Sequence, residues 1–421
     1  MSSPSGVASA LRMTNRSRVL RAIVRYRSIS RTALSDITNL TPPSVTRIVR
    51  ELVGLNLVID GEERTARGGP GRRRTEVRID PTGAYVLGIV LNASGKSVAL
   101  AGADGHIIAE ERVSDKDRRS PVATLKSLAA AAQKLCARHL SNKHRLLGAT
   151  VACAGEVDFE RQHLIDSMAL GWQDVAVGRE LGAMLGIPIH VDNLNMSMLE
   201  ATQMSDHEHL VADAMLVRVA NGIIGGAMMQ GGRMLRSPNT RPSWMGHHPV
   251  RGGRKRCFCG EIGCLNTVAS APAMLSALAK EKSPARFSAA DFVKTETAIR
   301  RLIKSADQGD KQAIAVLRAG GEQLGRFLVA HAGSLGPSLI HVSGFVGRSQ
   351  HYFAAVQRGF AAKAPASLQS TTRLVANDMS VVQAAVNVSL DRFVYSTLLN
   401  VDQLTQAKDN ETIDARTMNA A

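Results

Sequence analysis

The first 60 residues carry apolar side chains in three short runs at helical spacing. The first run predicts an amphipathic helix over residues 15–27, and Ser30 is placed to cap a second helix. Thr41 and Pro42 predict the start of a third helix, because proline in the first turn loses no backbone hydrogen bond. The short break between the second and third helices is typical of a helix-turn-helix.

The third predicted helix has two faces of different character. Its apolar face carries Val45, Ile48, Val49 and Leu52. Its polar face carries Ser44, Thr46, Arg47 and Arg50. Because the second helix of a helix-turn-helix enters the major groove of DNA, Ser44, Thr46 and Arg47 are predicted to contact base edges. Arg50 is predicted to contact the phosphate backbone.

Two short apolar segments after this helix predict a β-hairpin. Residues 57–59 and 76–79 have strand character, and the sequence RTARGGPGRRR at 64–74 lies between them. Glycines let such a loop approach DNA closely, and arginines reach phosphates or a narrow minor groove. We therefore predict a winged helix-turn-helix DNA-binding domain over residues 1–80. The DNA contacts of the wing are assigned to Arg67, Arg72, Arg73 and Arg74.

From Tyr85 onward, short apolar strands alternate with helices. The strand candidates are residues 86–91, 97–101, 148–153, 187–191, 216–219 and 339–342. This alternation predicts an α/β fold for residues 81–400. No internal repeat with a period of about 20–50 residues is visible. The segment 401–421 is polar and lacks aromatic side chains, which predicts a flexible tail.

The basic charge of the chain is concentrated near its N-terminus. The 421 residues carry a formal net charge of +16 at pH 7. The first 80 residues contain 15 Arg, no Lys and 7 acidic residues, so this segment alone contributes +8. Arginine binds phosphate oxygens bidentately, and the bias therefore favours nucleic acid as a partner. A solvated basic surface is the alternative interpretation.

The composition excludes several classes of protein. No apolar run approaches the roughly 18 residues that a membrane span needs, and the first ten residues contain no apolar signal core. Five Cys, three of them within residues 257–264, do not form the framework of a disulfide-rich secreted protein. We therefore predict a soluble, cytoplasmic, multi-domain protein with no membrane partner.

The clustered cysteines are the sharpest chemical signal. The sequence reads GHHPV at 246–250 and CFCGEIGC at 257–264. Three thiolates and one imidazole form a closed tetrahedral ligand set, which is typical of structural zinc. The glycines allow a tight fold around one ion, and the basic residues 254–256 favour thiolates electrostatically. We predict a zinc site with Cys257, Cys259 and Cys264 as ligands, with buried or redox-active thiols as the alternative.

Together these features resemble the ROK family, which groups bacterial sugar-responsive repressors with sugar kinases, and the match covers nearly the whole chain. Its most specific part is Gly246-His247 followed by Cys-x-Cys-Gly-x-x-Gly-Cys-Leu, which is similar to the zinc signature of the family. The resemblance implies that His247, rather than His248, completes the zinc site. It also implies a two-lobed, actin-like ligand-binding domain, with the zinc module of residues 246–264 beside the cleft between the lobes.

The sequence departs from the kinase members of this family where they carry catalysis. Their Asp-x-Gly-Gly-Thr phosphate loop is replaced by VLNASG at 90–95. Their catalytic Asp lies in an Asn-Asp-x-Asn run, and the run DNLN at 192–195 places Asn193 there. A one-residue slip would place Asp192 or Leu194 there instead. Since Asn cannot accept a hydroxyl proton as a carboxylate does, we predict that the chain is not an enzyme.

Two sugar-binding carboxylates of the family are also replaced. Trp244 stands three residues before His247, and Asn266 follows Gly-Cys-Leu, where the family has Glu in both places. Trp244 could stack on a sugar or another apolar ring, or it could plug the cleft. The predicted ligand-binding residues are Asn193, Asn195, Trp244, His247 and Asn266.

The two parts of the chain predict a DNA-binding transcriptional regulator, a repressor that binds a palindromic operator as a homodimer. A small-molecule effector in the cleft, a sugar or a sugar derivative, is expected to change operator affinity by shifting the population of lobe conformations. Two alternatives remain open. One is a sugar kinase with a DNA-binding arm, and the other is a ligand-blind scaffold that dimerises or recruits a partner.

Overall fold

The computed structural model describes residues 4–61, 76–93, 95–113, 120–205, 212–236, 242–280 and 287–419. We define the arm as the described residues up to Ile79. Its elements are α1 (Pro4–Tyr26), β1 (Ile29–Ser30), α2 (Arg31–Thr38), α3 (Pro42–Gly54), β2 (Val58–Asp60) and β3 (Glu76–Ile79). The three strands form an antiparallel sheet in the order β1-β3-β2, beside the three helices. This is the winged helix-turn-helix that the sequence predicts.

The helices of the arm begin, end and pack as their sequences dictate. The side-chain hydroxyl of Ser30 caps α2 by accepting a hydrogen bond from the backbone N–H of Ala33 at 3.2 Å. Asn39 ends that helix in the left-handed region, at a φ of 53°. Helix α3 buries the predicted apolar side chains, which are Val45, Ile48, Val49 and Leu52. The face that remains points away from the core.

The first lobe follows the arm. Its elements are β4 (Tyr85–Asn92), β5 (Gly95–Gly102), β6 (Ile107–Val113), α4 (Pro121–His139), β7 (Leu146–Cys153), β8 (Glu156–Asp158), β9 (His163–Ser167), β10 (Trp172–Val175), α5 (Val177–Leu185) and β11 (Ile189–Asn193). Five of these strands form a mixed sheet in the order β6-β5-β4-β7-β11, while β8, β9 and β10 form a small separate sheet. Helices α4 and α5 pack together on the larger sheet.

The second lobe is larger and richer in helices. Its elements are α6 (Leu194–Ser205), β12 (Ala214–Arg218), β13 (Gly225–Gln230), β14 (Arg233–Met234), α7 (Asn266–Ala269), α8 (Ala271–Leu278), α9 (Ala289–Asp307), α10 (Lys311–Leu335), β15 (Leu339–Ser343), α11 (Gly344–Gly347), α12 (Gln350–Ala361), α13 (Ala366–Thr371) and β16 (Arg373–Asn377). Its sheet has the order β14-β13-β12-β15-β16. Among the described helices, none is both long and apolar enough to cross a bilayer.

The two lobes repeat one sheet topology. In the first lobe, β4 pairs antiparallel with β5, and β5 pairs antiparallel with β6. In the second lobe, β12 pairs antiparallel with β13, and β13 pairs antiparallel with β14. On its other side the first strand, β4 or β12, pairs with one parallel strand, β7 or β15, and that strand pairs in turn with a further parallel strand, β11 or β16. Two such sheets facing a shared cleft give the predicted two-lobed, actin-like domain.

Two final helices, α14 (Val381–Phe393) and α15 (Val401–Asn419), return the chain to the first lobe and the arm. Leu404 and Ala407 on α15 are fully buried, and Lys408 Nζ donates a hydrogen bond to the Gly54 carbonyl at 2.8 Å. The prediction of a flexible tail from residue 401 is therefore wrong for the first part of this segment. Two apolar side chains three residues apart give a mostly polar helix one face that packs.

One continuous hydrophobic core joins the arm to the first lobe. It contains Leu20 and Leu52 of the arm, Val86 of the first lobe, and Leu390 and Leu404 of the last two helices, all buried. Ser17 adds a hydrogen bond from its hydroxyl to the Tyr395 carbonyl at 2.6 Å. The arm is thus packed onto the rest of the protein rather than tethered to it.

An ion pair between a buried arginine and a partly exposed glutamate holds α15 against this junction and predicts an acid-sensitive contribution to stability. Arg145 is 4% exposed and forms two hydrogen bonds with the Glu411 carboxylate, at 2.6 and 2.8 Å. These bonds hold the pKa of Glu411 below its usual value. The carboxylate therefore stabilises the fold above its ordinary pKa, and this stabilisation is lost as the pH falls through the lowered value.

We expect Glu411→Gln to lower the free energy of unfolding at pH 7 by about 1–2 kcal/mol, because Arg145 stays buried without its charged partner. Urea unfolding at pH 7 and again below pH 4 measures the effect, and the difference between variant and wild type should shrink at the lower pH. Asp409→Asn, on the exposed side of the same helix, is the matched control. Equal stability of the two variants at pH 7 would contradict the assigned role.

Candidate functional site

The exposed side of α3 carries the side chains predicted to bind DNA. Thr46, Arg47 and Arg50 line a shallow surface groove. Ser44 is half-buried one turn earlier, where its hydroxyl oxygen accepts a hydrogen bond from the Thr41 hydroxyl at 3.0 Å. The helix therefore presents two arginines and a threonine to solvent, with Ser44 close to its N-terminal end.

No carboxylate of the described residues neutralises the charges of these arginines. Neither Arg47 nor Arg50 forms an ion pair with a carboxylate in the described part of the chain. Elsewhere in the arm the opposite holds, since Glu51 pairs with Arg12 at 2.9 Å and with Arg16 at 3.0 Å. Uncompensated guanidinium groups on a protruding helix favour an anionic partner. The predicted wing contacts Arg67, Arg72, Arg73 and Arg74 lie outside the described residues.

The predicted metal ligands converge in the zinc module. The ligand atoms of His247, Cys257, Cys259 and Cys264 all lie within 4.8 Å of one another. His247 Nδ1 lies 3.6 Å from Cys257 Sγ, and Cys259 Sγ lies 3.6 Å from Cys264 Sγ. Tetrahedral zinc, with Zn–S bonds of about 2.3 Å, separates two sulfur ligands by about 3.8 Å, so both the spacing and the donor set fit.

The neighbouring histidine takes another position. His248 Nδ1 lies 3.2 Å from His331 Nε2 on α10, away from the sulfur atoms. The backbone of the module is folded sharply, because Gly263 has a φ of +85° and a Cβ at Gly253 would lie only 2.6 Å from the Gly263 Cα. His247 is therefore the histidine that completes the cluster, as the family resemblance implies.

Burial disfavours the ionised form of two of the cluster thiols. Burial raises the pKa of the Cys264 thiol to about 12 and also raises the pKa of Cys257. A bound divalent ion reverses this preference, because it stabilises the deprotonated ligand directly. The arrangement can hold a metal through three thiolates and one imidazole, which leaves no open position for a substrate.

A cleft of about 180 Å³ lies between the lobes, beside the cluster. Four of the five predicted ligand-binding residues line it, namely Asn193, Asn195, Trp244 and His247. His247 belongs both to the metal cluster and to the cleft wall. Since Trp244 is 45% exposed and its ring centroid lies 5.7 Å from that of His247, it stands at the wall and does not fill the cleft.

The acidic residue beside Asn193 points out of the cleft. Asp192 does not line it, and its carboxylate is bound bidentately by Arg236 at 2.6 Å for both oxygens. Asn193 does line the cleft, where its Nδ2 donates to the Gly155 carbonyl at 2.6 Å and its Oδ1 accepts from the backbone N–H of Asn195 at 2.8 Å. From this run the cleft receives the amides of Asn193 and Asn195 and the side chain of Leu194, and no carboxylate.

Asn195 and Asn266 have different roles. Asn195 is 8% exposed and its Oδ1 has no partner in the described part of the chain, so it remains able to accept a hydrogen bond from a ligand. Asn266 does not line the cleft, which corrects the prediction of a ligand-binding residue. Its Oδ1 accepts from the Ile224 N–H at 2.9 Å and its Nδ2 lies 3.5 Å from His247 Nε2. Asn266 therefore orients His247 from behind.

A family model described as the ROK family matches residues 86–386. The chain belongs to the ROK family.

Several proteins resemble this ROK chain. The DNA-binding transcriptional dual regulator NagC of Escherichia coli K12 is 24% identical over 342 residues, which are 80% of this chain and 82% of NagC. A crystal structure of a ROK family transcriptional regulator, homologous to Escherichia coli Mlc, has a TM-score of 0.73 and 21% identity. The similarity covers 94% of this chain and 100% of that one. The predicted family and fold class are confirmed.

The ROK kinases share only the two-lobed part. A ROK glucokinase from Streptomyces griseus, in complex with glucose and AMPPNP, has a TM-score of 0.59 and 17% identity. The similarity covers 73% of this chain and 98% of the glucokinase. In this chain, Asn92 at the end of β4 pairs with Gly95 at the start of β5.

The cleft of this ROK domain also contains residues that sequence reasoning missed. Arg218 at the end of β12 lines it, and burial lowers the pKa of this guanidinium to about 10 while Glu296 opposes the shift. Glu156, Asp166 and Phe292 line it as well. The signal for Arg218 was an arginine at the end of an apolar strand. The other three residues lie on the short strands β8 and β9 and on helix α9, with no distinctive sequence pattern.

Proposed function

We propose that this protein is a DNA-binding transcriptional repressor whose operator affinity is set by a small polar molecule in the interlobe cleft. The observation that carries the proposal is the exposed face of α3, with two uncompensated arginines on a winged helix-turn-helix. This arm is joined to a ROK domain, the combination found in the family's regulators. The protein thus acts as a regulator of transcription that binds DNA with one part and a ligand with the other.

The DNA side of the mechanism requires two copies. One recognition helix offers few base contacts, so specific binding needs two half-sites about 34–36 Å apart on a palindromic operator. In this proposal Ser44, Thr46 and Arg47 contact base edges, and Arg50 contacts phosphates together with the wing arginines Arg67, Arg72, Arg73 and Arg74. A homodimer supplies both helices.

The proposal of a cleft ligand rests on groups in the cleft wall that can form contacts with such a ligand. Asn195 Oδ1 can accept a hydrogen bond, Arg218 can donate several, and Trp244 offers an aromatic face. This set suits a sugar or a sugar derivative, in which hydroxyl groups alternate with an apolar ring face. A ligand that binds one lobe arrangement better than another shifts the population and moves the arms relative to each other.

Zinc is the metal that the cluster suits best. Bound zinc would be held by His247, Cys257, Cys259 and Cys264 and would supply a rigid tetrahedral anchor for the module. His247 lines the cleft from this anchor, with Asn266 behind it, so the metal site and the orientation of a cleft residue depend on each other.

The alternative of a sugar kinase with a DNA-binding arm predicts a measurable activity. We expect hexose-dependent release of ADP to stay at background in a coupled assay, because the cleft contains an amide at Asn193 where a general base is needed. Asn193→Asp alone should not restore turnover, since the sequence VLNASG at 90–95 lacks the acid and the paired glycines of the kinase phosphate loop. Steady hexose-dependent turnover by wild type would instead support the kinase.

The proposal is tested with pooled fragments of the source genome. Full-length protein and a truncation that lacks residues 1–80 are each mixed with the fragments at two salt concentrations, and the retained DNA is sequenced. Selective retention by the full-length protein alone, surviving the higher salt, supports a sequence-specific regulator. Unselective retention that collapses with salt means phosphate attraction only and overturns the proposal.

The effector is tested on the same operator fragment. Sugars and sugar derivatives are titrated, and both the melting temperature of the protein and its affinity for the operator are measured. Stabilisation together with weaker operator binding supports the proposed mechanism. No stabilisation by any of them, with unchanged DNA affinity, would favour the ligand-blind scaffold.

A further inference from the structure

A second and larger cavity lies where the arm meets both lobes. We call it the junction cavity; its volume is about 640 Å³ and it does not overlap the interlobe cleft. Arg21 and Arg25 of α1 line it from the arm, Glu200 and Gln203 of α6 from the lobes, and Arg392 from the end of α14. The cavity is thus walled by three parts of the molecule that are far apart in sequence.

Two buried polar side chains in its wall have atoms without a hydrogen-bond partner among the described residues. Gln203 is 6% exposed, and neither its Nε2 nor its Oε1 forms a hydrogen bond in the described part of the chain. His190 is 4% exposed, and its Nδ1 also has no partner there. A buried amide without hydrogen bonds lowers the free energy of unfolding by about 1–3 kcal/mol. Its presence in the cavity wall therefore suggests that a bound ligand supplies the missing hydrogen-bond partner.

The charges in the wall leave a positive excess. Arg236 forms ion pairs with Asp192 and Glu200, and Arg21 forms an ion pair with Asp391 at 2.8 Å. Arg25 and Arg392 form no ion pair with a described carboxylate. Burial raises the pKa of Glu200 to about 7, which removes part of the negative charge from the wall near neutral pH. The surplus guanidinium groups favour a negatively charged occupant.

The rest of the wall is apolar and deformable. Met204, Met229 and Met234 line it, and the Phe159 ring lies under Arg236 with the guanidinium carbon 5.4 Å from the ring centroid. Methionine side chains adapt to irregular apolar ligands, and a stacked arginine keeps its donors in one plane. We propose that the junction cavity is a second ligand site, which binds a small organic anion, a carboxylate or a phosphate ester, with an apolar body.

Occupation of this site is coupled to the position of the arm. The ligand contacts α1 of the arm and both lobes, and few polar contacts hold α1 there besides Arg21 with Asp391 and Ser17 with Tyr395. A ligand that bridges these parts therefore favours one arrangement of the arm over others. The site acts independently of the effector proposed for the interlobe cleft.

The test uses the full-length protein and three probes that differ only in their head group: 1-naphthyl phosphate, 1-naphthoate and uncharged 1-naphthol. Isothermal titration and thermal denaturation measure binding to wild type, Gln203→Met, Arg25→Gln and the matched control Gln312→Met on the exposed side of α10. We expect at least one anion to bind wild type and the control equally, and the uncharged naphthol at least about tenfold more weakly. The tighter anion identifies the preferred head group.

Both junction variants should weaken binding of that anion by about tenfold or more. Gln203→Met should also melt at the same temperature as wild type or higher without ligand, because it removes an unsatisfied amide. Arg25 lies at the cavity rim. The Arg25→Gln variant therefore still tests the proposal if Gln203→Met disturbs folding. Absence of anion binding to wild type, equal binding of naphthol, or unchanged binding by Arg25→Gln overturns the proposal. An Asn195→Ser variant should bind the anion as wild type does, which separates this site from the interlobe cleft.

Discussion

Cys264→Ser is expected to abolish zinc binding and to destabilise the second lobe by about 4 kcal/mol or more, because loss of a structural metal removes folding free energy directly. Cys264 is 1% exposed and sits where residue 264 pairs with Pro249, so the whole module depends on it. Metal analysis by mass spectrometry should fall from one zinc per chain to near zero. Urea unfolding gives the loss of stability.

Cys136→Ser provides the matched control for this experiment. Cys136 is a buried thiol on α4 with no place in the cluster, so its replacement costs packing and leaves the metal bound. If Cys264→Ser keeps one zinc per chain, or is as stable as Cys136→Ser, the cluster is not a structural metal site. A fluorescence titration with a chelator should separate the two variants in the same way.

Arg47→Ala is expected to weaken binding to the selected operator by about 1–3 kcal/mol, or roughly 5- to 150-fold, and to relax the base preference at one position of each half-site. The reason is its place on the exposed face of α3, where no carboxylate of the described residues neutralises it. Fluorescence anisotropy with the operator and with single-base variants measures both effects.

Arg50→Ala and Arg161→Ala complete that series. If Arg50 contacts phosphate, its removal should weaken binding to all sequences alike and reduce the salt dependence by about one charge. Arg161 belongs to the first lobe, outside the helix-turn-helix, and its side chain is 84% exposed, so its removal should leave DNA binding unchanged. An Arg47→Ala protein that binds like Arg161→Ala would show that α3 is not the recognition helix.

The sequence predicted best those features that depend on residues close to one another along the chain. The buried face of α3 follows from helical spacing alone, and the strand Glu76–Ile79 has the predicted bounds. The metal cluster was predictable because its ligands lie within 18 residues of one another, so short-range spacing limits how the chain can fold. These elements need little information from distant parts of the chain.

Long-range features escaped prediction for a physical reason. The repeat of one sheet topology in both lobes is a property of strand pairing, which widely different apolar sequences satisfy equally well. The helix α15 looked like a polar tail because only Leu404 and Ala407 pack, and their partners lie in the arm. Asn266 was assigned to the ligand by its place in a motif, whereas its hydrogen bonds turn it toward Ile224 and His247.

The shared core of the arm and the last two helices has a consequence for biosynthesis. The arm is translated before the rest of its hydrophobic core, which includes Leu390 and Leu404 from α14 and α15. Until those residues emerge from the ribosome, the nascent arm exposes apolar surface that these two helices later cover. Translation that stops early therefore yields chains in which the recognition helix lacks the support of the last two helices. Such incomplete chains are poorly able to compete for the operator.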